Sequence, residues 1–170
     1  MAHADRIYNV LFHCTGNSAR SIMAECAMSR FGRDRFRAFS AGSHPTGHVH
    51  PRAAALLTSL NYDTAALRSK SWDEFSAPDA PMLDFVITVC DRARGEMCPK
   101  WPGQPVTALW GVDDPAAFIG TEEQQWRFFL KIYTELENRV KLFAVLRVEL
   151  LDQLVLQQRV DDIGRTRPRD

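Results

Sequence analysis

Two short apolar runs, residues 7–13 (IYNVLFH) and 85–90 (FVITVC), constrain this chain more than any other feature. Each is too short for a buried helix, and each reads as a strand covered on both faces. Between and after them the apolar period becomes helical. Residues 18–31 place Ile22, Met23, Ala27 and Phe31 on one face, and Pro51 fits the first turn of a helix continuing through residues 53–60. Residues 39–41, ended by Gly42, and residues 106–109, entered past Pro99, Pro102 and Pro105, read as further strands. Beyond Gly120, Trp126, Phe129, Tyr133, Leu136, Val140 and Phe143 recur at helical spacing. A second helical pattern holds Val148, Leu151, Leu154, Val155 and Ile163. Strands alternating with helices imply an α/β fold with a parallel sheet.

The chain reads as one domain over residues 1–170, since 170 residues suffice to bury a core without disulfides. An α/β core is expected over residues 7–120, C-terminal helices over 121–163, and a mobile tail over 164–170. Lys plus Arg and Asp plus Glu both number 21, which argues against a nucleic-acid binder. Residues 1–5 are polar and no run approaches a membrane span, so a cytoplasmic protein without membrane association is expected. In a reducing compartment, cysteines read first as catalytic or metal-binding groups. The four here are Cys14, Cys26, Cys90 and Cys98.

Cys14, Thr15, Gly16, Asn17, Ser18, Ala19, Arg20 and Ser21 lie between the first strand and the first helix. Cysteine, five residues, arginine and serine suit a cradle for a tetrahedral oxyanion. Gly16 and Asn17 tolerate the positive φ of a tight loop. Successive N–H groups, backed by a helix N-terminus, converge on the anion. Arg20 grips two oxygens with its planar fork. The same positive surroundings are expected to lower the Cys14 pKa, and Ser21 to donate to the thiolate. The plainer alternative is an inert core cysteine.

Residues 10–25 (VLFHCTGNSARSIMAE) closely resemble the opening of the phosphatase-like arsenate reductases, relatives of the low-molecular-weight protein tyrosine phosphatases. The resemblance continues through Ser40-Ala41-Gly42, Val49-His50-Pro51, Ser69-Lys70-Ser71, residues 86–91, Cys98-Pro99, Trp101-Pro102-Gly103 and Asp114-Pro115. It implies a four-stranded parallel sheet flanked by helices, with the anion loop at its carboxyl edge. It also implies a relay in which Cys14 forms an arsenic adduct, Cys90 attacks Cys14, and Cys98 attacks Cys90. The disulfide would then be reduced by thioredoxin, or by glutathione and glutaredoxin. Asp114 matches the family's general acid, although aspartate before proline is also ordinary turn chemistry.

From the residues themselves, Cys90 ends the second apolar run and Cys14 follows the first. Carboxyl ends of parallel strands share one edge, so the two can meet. The alternatives are a buried strand cysteine at 90 and an incidental loop cysteine at 98. Cys26 reads as core packing, and His44, His48 and His50 as solvated loop histidines. No ligand pairs of zinc-site spacing occur, so neither a metal nor a bound organic cofactor is expected. A tyrosine phosphatase is the alternative function, but Ala116 and Ala117 stand where that branch has aromatic residues. Ala19 stands where some arsenate reductases have a further cysteine. A non-catalytic oxyanion-binding or redox-sensing module is a third reading, and a dimer through the last helix is possible without being favoured.

Overall fold

The computed structural model describes residues 6–90 and 101–166. Four strands, β1 (Tyr8–Cys14), β2 (Phe36–Gly42), β3 (Phe85–Thr88) and β4 (Val106–Leu109), form one parallel sheet in the order β2-β1-β3-β4. Four α-helices accompany them: α1 (Arg20–Phe31), α2 (Pro51–Ser59), α3 (Glu122–Ala144) and α4 (Gln153–Gly164). From β1 the chain runs outward to β2, then returns to place β3 on the other side of β1. That reversal opens a crevice at the carboxyl ends of β1 and β3, where open α/β sheets hold their ligands.

Side chains alternate across the sheet. Tyr8, Val10, Phe12 and Cys14 join Phe85 and Ile87 in the larger core, against α1, α3 and α4. Leu11 and Val86 point the other way, into a smaller cluster with Ala41, Phe75, Leu83 and Trp101. The large core is rich in rings: Phe143 of α3 lies 4.9 Å from Phe85, 5.0 Å from Phe36 and 5.7 Å from Trp110. α3 starts with a capping box at Thr121 and Gln124, and buries Phe129, Tyr133, Leu136, Val140 and Phe143 as its period predicts.

Several sequence expectations shift. Residues 18 and 19 belong to the loop, and α1 begins at Arg20. Phe31 is 38% exposed, because it lies in the last turn of α1, with the Lys141 ammonium 4.7 Å from its ring. β2 is longer than expected, since seven residues of β1 pair with it. In α4 the inner face is Leu156, Val160 and Ile163, while Leu154 is 85% exposed. A 3-10 turn at Val148–Leu150 separates α3 from α4 and resets the helical phase. Of the tail expected from residue 164, Gly164 closes α4 and the Thr166 carbonyl accepts from Arg139; residues 167–170 lie outside the described residues.

Candidate active site

The loop from Cys14 to Ser21 is held from outside by its carbonyls. Those of Cys14, Thr15, Gly16 and Ser18 accept from the N–H groups of Ser43, His44, Thr46 and His50, at 2.8–3.3 Å. A trans peptide points its N–H opposite to its C=O. The N–H groups of Thr15, Gly16, Asn17 and Ala19 therefore turn away from residues 43–50, toward the inside of the loop. Asn17 takes the tight bend at φ 43°. Gly42 lets the two segments approach: a Cβ there would lie 2.5 Å from the Thr15 carbonyl oxygen and 3.0 Å from Asn17 N.

A buried hydrogen-bond chain runs to the Cys14 sulfur. The Lys70 N–H donates to Asn17 Oδ1 at 2.9 Å, which fixes the amide's orientation. Asn17 Nδ2 then donates to Ser21 Oγ at 2.8 Å. With its oxygen accepting, Ser21 directs its own proton to Cys14 Sγ, 3.0 Å away. Behind Asn17, the Lys70 ammonium donates to the Arg68 carbonyl at 3.0 Å and to Ser40 Oγ at 3.5 Å. Burial lowers the Lys70 pKa, and nearby Glu25 opposes that shift. Burial likewise raises the Glu25 carboxyl, against the pull of Lys70 and of its hydrogen bonds to Ser40. Lys70 entered the sequence reading only within the Ser69-Lys70-Ser71 match. Its contact with Asn17 spans 53 residues and leaves no local pattern.

The predicted strand over residues 85–90 ends instead at Thr88. Strict alternation would have put Cys90 on the face opposite Cys14. The chain instead bends at Cys90, and both Val89 and Cys90 enter the same core as Cys14. The Cys90 thiol lies in the same core as Cys14 and 3.9 Å from Oγ1 of Thr15, the residue next to Cys14 in the chain. The neighbouring Cys90 thiol, followed by burial, pushes the Cys14 thiol well above its ordinary range, while the Ser21 hydroxyl and N–H pull it down. The lowered Cys14 pKa expected from the sequence is thus not found. Arg20 is turned to Val112 and Asp114, whereas a second thiol is buried in the same core as the Cys14 sulfur.

Arg20 is 8% exposed. Its Nη1 donates to the Val112 carbonyl at 3.1 Å, and its Nη2 lies 3.6 Å from Asp114 Oδ2. Asp114 takes up the turn weighed for it and turns its free oxygen to Arg20. Its Oδ1 accepts from Ala116 N at 3.0 Å, starting a 3-10 turn at Pro115–Ala117, and its other oxygen faces Arg20. His50 is not a solvated loop residue: its Nδ1 caps α2 through Arg52 N at 3.1 Å, and its ring packs 5.0 Å from Phe129. Burial, with Arg52 beside it, lowers the His50 pKa. Cys26 lies in the core, and burial raises it to about 12. Cys98 lies outside the described residues. Among the described residues no group of three His, Cys, Asp or Glu is placed to hold a metal.

A loop carrying a buried thiol at the carboxyl edge of a four-stranded parallel sheet, with Arg20 and Asp114 paired beside it, has the architecture of the phosphatase-like fold. Residues 9–155 match the low molecular weight phosphotyrosine protein phosphatases, and the chain belongs to that family. Within it the chain groups with the arsenate reductases. It is 36% identical over 135 residues to the arsenate reductase of Bacillus subtilis, covering 79% of this chain and 94% of that protein. The crystal structure of an Archaeoglobus fulgidus arsenate reductase superposes with a TM-score of 0.61 at 29% identity, over 79% of this chain and 98% of the other. An arsenate reductase solved in a phosphate-binding state superposes with a TM-score of 0.66 at 27% identity, over 81% and 97%.

Proposed function

We propose that the protein reduces arsenate to arsenite by a three-thiol relay. The observation that carries this reading is a second free thiol, Cys90, buried in the same core as Cys14 and 3.9 Å from the hydroxyl of Thr15. A phosphatase needs water to attack its cysteine adduct, whereas a reductase needs a second sulfur within reach of the first. Ala116 and Ala117, exposed beside Asp114, offer no aromatic clamp for an aryl phosphate.

The loop N–H groups and Arg20 hold the arsenate oxygens. Cys14 gives its proton to an oxygen of the bound arsenate and attacks arsenic(V) as the thiolate, and an arsenic–oxygen bond breaks. The oxygen leaves as water, with Asp114 supplying the other proton. The Cys90 thiolate then attacks Cys14 Sγ. The sulfur–arsenic bond breaks with its electron pair on arsenic, giving arsenite and a Cys14–Cys90 disulfide. Cys98 attacks Cys90, releasing the Cys14 thiolate and leaving a Cys90–Cys98 disulfide. Two electrons from thioredoxin, or from glutathione with glutaredoxin, restore the dithiol. The thiols supply both electrons, so the scheme needs no bound metal or organic cofactor. A reducing cytoplasm suits this chemistry. Among the described residues no helix is long and apolar enough to cross a membrane.

The test is arsenate-dependent NADPH consumption with thioredoxin and thioredoxin reductase, repeated with glutaredoxin, glutathione and its reductase. Sustained consumption lost in both Cys90→Ser and Cys98→Ser is expected. Steady turnover in both variants would refute the relay. Strong aryl phosphate hydrolysis by the double variant, without arsenate reduction, would favour a phosphatase.

A further inference from the structure

We infer that Arg139, on α3 and far from the anion loop in sequence, is a positioning residue for Asp114, through which the C-terminal helix α4 takes part in the chemistry. The inference rests on the reading of Asp114 as the acid. The segment from Trp110 to Asp114 forms one wall of the site. Its Trp110 N–H donates to the Thr88 carbonyl at 2.7 Å, and its Val112 N–H to the Val89 carbonyl at 3.1 Å, just before Cys90. The Val112 carbonyl receives Arg20, and Asp114 faces the same guanidinium.

Arg139 holds this wall from behind. Its Nη1 donates to the carbonyls of Trp110 at 2.9 Å and Gly111 at 3.2 Å, and its Nη2 to that of Thr166 at 3.1 Å. The Gly111 carbonyl and the Val112 N–H belong to one planar peptide. Arg139 on one edge and Val89 on the other therefore fix its rotation, at a glycine whose own torsions are soft. The next peptide gives its carbonyl to Arg20. Asp114 is thus aimed by two arginines acting on successive peptides.

The other end of the brace is α4. Trp110 Nε1 donates to the Val160 carbonyl at 3.0 Å. A Cβ on Gly164 would press into the Leu109 carbonyl and lie 2.7 Å from Trp110 Cδ1, so α4 seats directly on the start of the wall. A lysine at 139 could not fork to three carbonyls as the guanidinium does.

The experiment is single-turnover arsenite release from pre-reduced protein at subsaturating arsenate. Arg139→Met and Arg139→Lys are each measured alone and combined with Asp114→Asn. Loss of a general acid is expected to slow release about 10²-fold. Arg139→Met should then slow the native background about tenfold but the Asp114→Asn background less than twofold, because groups acting as a unit are not additive. Arg139→Lys should recover part of the loss. Should Arg139→Met fail to fold, Gly164→Ala displaces α4 from Trp110 and enters the same cycle, with the same expectation. An equal slowing in both backgrounds, or none in either, would overturn the inference while leaving the acid reading standing. A native rate in Asp114→Asn alone would overturn both. No arsenite from the native protein would overturn the arsenate reading, and this inference with it.

Discussion

Replacing Asn17 tests how the loop is built. Its side chain is fully buried, bonded to Lys70 N at 2.9 Å and to Ser21 Oγ at 2.8 Å, on a backbone with φ of 43°. Asn17→Ala removes both bonds. Leaving the Lys70 N–H unpaired costs about 1–3 kcal/mol. Alanine in the left-handed region adds about 1–2 kcal/mol that asparagine largely avoids. A loss of about 3 kcal/mol in urea unfolding follows, read as a shift in midpoint at constant slope. Asn17→Gly removes the same bonds but takes the positive φ freely. It gives back part of that gain through the greater freedom of its unfolded chain, about 0.4–1 kcal/mol. Glycine should therefore be the more stable of the two variants by roughly 1 kcal/mol. Both should slow Cys14 alkylation, since Ser21 loses the partner that directs its proton to the sulfur. Equal stability of the Ala and Gly variants would show that the backbone carries no strain. A loss below about 0.5 kcal/mol in both would refute the buried chain altogether.

Cys90→Ala removes the principal cause of the raised Cys14 pKa, so the pH midpoint of Cys14 alkylation should move down; an unchanged or higher midpoint would count against the thiol contact. Leu156→Ala should cost about 2–3 kcal/mol and Leu154→Ala less than about 0.5 kcal/mol, because the first is 8% and the second 85% exposed; thermal unfolding of both variants checks the phase of α4. Cys26 keeps its proton to about pH 12 in the fold but loses it near pH 9.0 when unfolded. Its contribution is therefore full below pH 9.0 and lost as pH rises toward 12, by up to about 4 kcal/mol. Stability curves of Cys26→Ala should fall less steeply over that window.

Some of this was legible because it is local. The parts of the anion loop lie within eight consecutive residues between a strand and a helix, so residue types and spacing suffice to place them. The bounds of β4 and the buried face of α3 follow from period and turn residues alone. The phase of α4 was not legible, because the turn at Val148–Leu150 interrupts the period on which the reading relied.

Sequence by itself therefore determined the sheet class, the loop and the candidate thiols. Tertiary structure decided which of those groups meet and on which face. β3 stops at Thr88, where its pairing with Leu109 of β4 ends, and the bend that follows brings Cys90 to the side of Cys14. Lys70 on Asn17 and Arg139 on the Trp110 and Gly111 carbonyls are likewise contacts across 53, 29 and 28 residues. The reason is physical: local period reports which face of an element is buried. The partner that face or carbonyl meets depends on the order in which the strands assemble, and that order is a property of the whole chain.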